Sequence, residues 1–183
     1  MRKHILLVGF SLFLMGNTTP NWVKESILTP IEFEKIISIE SFEESELDSF
    51  LDAIGYYESG NNYKAVNSLG YMGRYQFGKT TLKGLGYDIT KTKFLNSPTL
   101  QEQAMMDLLE HNRYILRNYI DYWDGKKVNG KVVTESGILA AAHLAGPTNV
   151  KRFFRHGKDF SDAYGTKLTK YLHTFSGYNI NID

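Results

Sequence analysis

The residues best suited to chemistry in this chain are Tyr56-Tyr57-Glu58-Ser59-Gly60, followed closely by Gly70-Tyr71-Met72-Gly73-Arg74-Tyr75-Gln76-Phe77. Glu58 falls at the end of a predicted helix, directly after two tyrosines. The C-terminal end of a helix carries partial negative charge, which disfavours a further negative charge there. Aromatic walls add desolvation, which also raises a carboxyl pKa. A carboxyl held protonated near neutral pH can donate its proton to a leaving-group oxygen, as cleavage of a glycosidic bond requires. The plainer alternative is a solvated glutamate at a helix end, and Glu-Ser-Gly alone does not separate the two.

The elements that must position Glu58 are legible from spacing. Leu47, Phe50, Leu51, Ile54 and Tyr57 recur at three- and four-residue intervals, which predicts a helix over 44–57 with Ser45 as N-cap and Gly60 as its stop. The Gly- and Asn-rich stretch 61–78 predicts irregular chain with a short hairpin over 71–77. A short helix over 79–85 ends at Gly86. Ser97-Pro98 reads as N-cap and first helical residue of a long helix reaching about Trp123. Its apolar stripe is Met105, Leu108, Leu109, Ile115, Leu116, Tyr119 and Ile120, which is core material. Asn129-Gly130 predicts a tight turn. The small apolar run 136–145 predicts a closely packed helix, and shorter helices follow over 150–155 and 166–175. The expected fold is mainly α, a single domain over 46–183 with a small irregular or β lobe.

The 183 residues leave room for one ordinary domain plus an N-terminal extension. Met1-Arg2-Lys3 and the apolar run from Ile5 to Met15 read as a secretory signal peptide over 1–20, although Gly16-Asn17-Thr18-Thr19 lacks an Ala-x-Ala cleavage match. A buried N-terminal helix or strand is the alternative. An acidic linker or extension over 21–45 follows. The expected location is therefore outside the cytoplasm, in the periplasm or cell envelope, with membrane contact only through an uncleaved signal segment. The chain has no Cys, which removes disulfides and thiolate metal sites. Its 12 Tyr, 11 Phe and 2 Trp suit stacking on sugar rings or nucleobases as well as ordinary core packing.

Net charge is +1, yet basic residues dominate two stretches, with Lys64, Arg74, Lys79 and Lys83 in one and Lys151, Arg152, Arg155, Lys158, Lys167 and Lys170 in the other. A basic cleft suits an anionic polymer, and scattered lysines also mark a solvated face. Gly73 to Thr80 formally matches a P-loop. The residues before it do not read as a buried strand, the following helix is cut at Gly84 and Gly86, and Tyr75 and Phe77 would crowd phosphates. His4, His111, His143, His156 and His173 show no paired ligand spacing, so no metal or cofactor is expected. No Gly-x-Ser-x-Gly is present.

One constellation remains, joining Glu58-Ser59, Gly73-Arg74-Tyr75-Gln76 and Ala142-His143-Leu144-Ala145-Gly146. In order, spacing and helix context these residues resemble the lysozyme-like lytic transglycosylases, the superfamily that also holds goose-type lysozyme. The family pattern is Glu-Ser at a helix end, then Gly-x-x-Gln, then Ala-Tyr-Asn-Ala-Gly on a later helix. The resemblance covers about residues 46–175, and the helix carrying Gln101, Gln103 and Ala104 looks like the family's middle helix.

The resemblance implies a lysozyme-like fold and cleavage of peptidoglycan between N-acetylmuramic acid and N-acetylglucosamine. Glu58 would act first as acid and then as base, closing a 1,6-anhydro ring with help from the substrate N-acetyl group. This differs from the two-carboxylate scheme of most glycosidases. Gln76 and Asn67 would hydrogen-bond the sugar, and Tyr75 and Phe77 would line the cleft, or else all of these serve the loop and the core. His143 stands where the family has Tyr, and Leu144 where it has Asn. The implied partner is a glycan strand, not nucleic acid, engaged by a monomer. Two rivals keep the fold. One is a water-using muramidase with Asp88 or Asp52 as base, and the other is a peptidoglycan-binding protein without catalysis.

Overall fold

A computed structural model describes residues 46–182, and helices dominate them. In chain order they are α1 (46–59), α2 (Lys79–Gly84), α3 (Lys91–Leu95), α4 (Pro98–Trp123), α5 (Glu135–Ala145), α6 (Pro147–His156) and α7 (Leu168–Thr174). Between α4 and α5, β1 (Lys127–Val128) and β2 (Lys131–Val132) form a two-stranded antiparallel sheet, with Lys127 opposite Val132. The protein is thus mainly α with a small β element, as its periodicities predict. The expected signal segment, the acidic extension and the Ser45 cap lie outside the described residues. No helix among the described residues is long and apolar enough to cross a membrane.

Local sequence explains most boundaries. α1 stops where Gly60 takes φ 65°, with its N–H bonded to the Tyr56 carbonyl at 2.9 Å. Ser97 caps α4 by accepting the Leu100 N–H at 3.4 Å, and Pro98 occupies the first helical position. Asn129 and Gly130 both have positive φ, the requirement of the two-residue turn that joins β1 to β2. α3 is an addition to the sequence reading. Thr90 caps it by accepting the Lys93 N–H, a signal hidden among flanking lysines.

α5 forms the centre of the core. Every residue from Ser136 to Ala142 is buried, as expected for a helix with no polar face. It packs against α4, α6 and α7. Gly137 permits the closest of these approaches, because a Cβ there would sit 2.3 Å from the Leu172 carbonyl oxygen and 2.2 Å from Ser176 Oγ. α1 seals one side with Phe50 and Ile54, both fully buried and each contributing about 1.5–3 kcal/mol of hydrophobic stabilisation.

The stretch 61–78 is irregular, and within the expected hairpin range Met72 and Phe77 exchange both backbone hydrogen bonds, at 3.0 and 2.8 Å. The pairing goes no further than isolated antiparallel bridges, Val66 with Met72 and Met72 with Phe77. Gly and Asn turns leave too few consecutive residues for a ladder, and side chains from α1 and α4 hold the loop instead.

Candidate active site

The loop 61–78 is fastened before it offers anything to a ligand. Gln101, fully buried on α4, accepts the Arg74 N–H at 2.8 Å and donates to the carbonyls of Tyr63 and Phe94 at 3.0 and 2.9 Å. Gly73, at φ 77°, makes room for that amide, since a Cβ would meet Gln101 Oε1 at 2.1 Å. Ser59 ties the end of α1 to the same loop by donating to the Arg74 carbonyl at 2.7 Å. The Arg74 side chain pairs with Asp52 and donates to Glu102 at 2.9 Å and to Asn61 at 2.9 Å. Burial works against the arginine charge, but the bond to Glu102 and the surrounding acceptors outweigh it, and its pKa rises.

This clamp aims the last turn of α1 at a cleft of about 510 Å³, within the usual range for small-molecule sites. Glu58 lines it with a side chain only 15% exposed. Two groups converge on one of its oxygens. Tyr171 of α7 donates its hydroxyl to Glu58 Oε1 at 2.6 Å, and His143 of α5 brings Nε2 to 3.5 Å of the same atom. Burial, then the neighbouring Glu58, raises the Tyr171 pKa, so the phenol stays protonated and remains a donor. With Oε1 held from the protein side, Oε2 is the oxygen left for proton exchange with a ligand.

The other expected residues divide. Gln76 and Asn67 line the cleft. Gln76 holds φ 50°, a strained backbone for a residue other than Gly or Asn, and spends one N–H on the Gly73 carbonyl at 2.9 Å. Strain of this kind persists where the surroundings over-determine it, here through the paired Met72–Phe77 backbone bonds on either side. Asn67 uses Oδ1 to accept the N–H groups of Leu69 and Tyr71, both at 3.0 Å, leaving its amide N–H groups for a ligand. Phe77 also lines the cleft and packs edge-on to the His143 ring at 6.0 Å.

Tyr75 does not belong there. It is fully buried, and its hydroxyl donates to Glu102 Oε2 at 2.5 Å on the far side of the loop. Its side chain is spent on the Arg74–Glu102 cluster, with the Arg74 guanidinium 5.0 Å over its ring. Asp52 and Asp88 are likewise absent from the cleft lining, and Asp52 is engaged by Arg74.

The sequence did not single out Tyr171 behind Glu58, or Asp162 and Asn112 in the cleft lining. Tyr171 reads in sequence as one more apolar position beside Leu168, Leu172 and Phe175, and the sole hint was that a buried Tyr hydroxyl needs a partner. Asp162 lines the cleft while its Oδ1 accepts the N–H groups of Tyr164 and Thr166 at 2.9 and 2.7 Å. Asn112 of α4 is fully buried in the cleft floor, and both polar atoms of its amide have no partner among the described residues. His143 Nδ1 is in the same state. Buried polar groups are almost always paired, so these three unpartnered atoms leave the cleft with unmet hydrogen-bonding capacity.

Compared with known proteins, the chain matches no family model, no curated protein and no solved structure.

Proposed function

We propose that the protein is a peptidoglycan lytic transglycosylase acting outside the cytoplasm, with Glu58 as its single general acid and base. The observation that carries this reading is the arrangement at Glu58. One carboxylate at a helix end, mostly withdrawn from water, has one oxygen fixed by Tyr171 and His143 and the other left toward a cleft of sugar-binding size.

In the proposed reaction, protonated Glu58 gives its proton to the glycosidic oxygen as the bond from that oxygen to C1 of N-acetylmuramic acid breaks. The carbonyl oxygen of the sugar's own N-acetyl group bonds to C1 and takes up the developing charge, so no protein nucleophile is needed. Glu58, now a carboxylate, removes the proton from the C6 hydroxyl. The C6 oxygen then attacks C1, the N-acetyl group is released, and Glu58 is again protonated. No water is consumed. Tyr171 and His143 steady the carboxylate in its charged half-cycle, and Gln76 and Asn67 supply hydrogen bonds to the sugar.

A second reading draws on Asp162. A carboxylate in the same cleft can orient a water molecule, which would make the protein a muramidase with reducing-end products. Digestion of purified peptidoglycan by residues 21–183 separates the two readings. Anhydro ends that vanish in Glu58→Gln support the transglycosylase, whereas reducing ends that vanish in Asp162→Asn support the hydrolase.

A further inference from the structure

Beside the cleft lies a second concavity of about 670 Å³. Lys131 of β2, Lys167 before α7 and Lys170 on α7 line it, and none of its described lining residues is acidic. His173 joins them with both ring nitrogens buried and unpartnered. Burial and then Lys131 lower its pKa, while Asp159 opposes that shift. Asp159 is itself occupied, accepting the Thr169 hydroxyl at 2.6 Å and the Thr169 N–H at 3.2 Å. The pocket wall therefore gathers three lysines, the ammonium of Lys170 lying 5.1 Å over the Tyr57 ring, with no acid among its described lining residues to neutralise them. Such a concavity attracts an anion.

Its position indicates which anion. Tyr164 lines both concavities, with Asp162 and Ala163 on the cleft side and Gly165 and Thr166 on the lysine side. α7 likewise serves both, through Tyr171 at Glu58 and Lys170 in the basic wall. A group hanging from a polymer seated in the cleft is thus within one side chain of the lysines. We propose that this basic pocket binds the carboxylates of the peptide stem carried by the glycan strand. The proposal rests on the reading of the cleft as a peptidoglycan site, and it adds that the protein distinguishes peptide-bearing strands from bare ones. Exposed lysines are individually weak partners, so the preference is a modest one that salt erodes.

The test measures binding rather than cleavage. Full-length Glu58→Gln protein is titrated with soluble glycan strands that either carry their peptide stems or have been stripped of them, both free of attached phosphate polymers. The peptide-bearing strand should bind about tenfold more tightly at low salt, and the gap should close at high salt. Replacing Lys131, Lys167 and Lys170 together by Ala should abolish the gap without changing affinity for the bare strand, and replacing them by Arg should preserve it. Equal affinity for the two strands, or the same loss on both in the Ala variant, overturns the pocket. Binding to both strands without any stem preference sinks the pocket alone. Binding to neither strand overturns both the pocket and the reading of the cleft.

Discussion

Two carboxylates sit on either side of the same loop and have opposite surroundings. Glu102 receives the Arg74 guanidinium and the hydroxyls of Tyr63 and Tyr75, at 2.9, 2.7 and 2.5 Å, and its cluster is filled with mutual partners. Glu58 receives one hydroxyl and one imidazole, both on Oε1, and its cleft also holds Asn112 and His143 Nδ1 without partners. A saturated polar cluster fixes a structure, and an unsaturated one keeps capacity for something not yet bound. On this comparison the Arg74 cluster is the mount and the Glu58 cleft is the instrument.

The sharpest way to break the mount is Arg74→Ala. It leaves Asp52, Glu102, the Tyr63 hydroxyl and Asn61 without their shared donor. Losing one partner of a well-buried ion pair costs about 3–5 kcal/mol, and since the Glu102 side chain is 32% exposed we expect about 2–4 kcal/mol. Urea denaturation should show a lower midpoint with an unchanged slope. Whatever protein stays folded should also lose activity, because Gln76 rides on the same loop.

A matched pair of tyrosines refines the contrast. Tyr75→Phe and Tyr171→Phe each delete one hydroxyl donated to a carboxylate. The first should cost about 1–2 kcal/mol of stability and leave kcat per folded molecule unchanged. The second should lower kcat about tenfold with little change in thermal midpoint, since the charge it steadies faces the cleft. Equal stability losses and equal kcat in the two variants would erase the distinction between mount and instrument.

Asn112→Leu should move stability and activity in opposite directions. Leu fills a similar volume and removes two buried polar atoms that lack partners, which predicts a gain of about 1 kcal/mol and reduced turnover. Calorimetry and a cleavage assay read the two effects separately.

The smallest effect belongs to His173. Its pKa in the folded protein is lowered, first by burial and then by Lys131, so below the unfolded value of about 6.5 the unfolded chain binds the extra proton more readily. Stability should therefore fall as pH drops through about 6.5, and His173→Gln should flatten that part of the profile. Thermal midpoints of the two proteins across pH 5 to 8 measure it.

The sequence was informative where short-range physics decides the outcome. The Ser97-Pro98 start of α4, the Asn129-Gly130 turn and the Gly60 stop of α1 each follow from one residue's backbone preference. The structure brings Glu58, Gln76, Asn67, Phe77 and His143, each singled out in the sequence, to one cleft. Long-range partners were out of reach. Tyr171 lies 113 residues from Glu58, and nothing in an apolar stripe says which hydroxyl meets which carboxylate. Tyr75 went astray for a related reason, since aromatic type alone does not tell which face of an irregular loop is wet. Asn112 was hidden in the core stripe of α4, where its polarity is informative only once its lack of partners is seen.

The central claim is that Glu58 alone supplies the acid and the base for a reaction that consumes no water. Mass spectrometry of peptidoglycan digested with residues 21–183, beside the Glu58→Gln variant, tests it most directly. The account predicts fragments ending in 1,6-anhydro-muramic acid, reduced about 10²–10⁴-fold by the variant. Reducing-end fragments, or anhydro fragments that persist undiminished in Glu58→Gln, would contradict it.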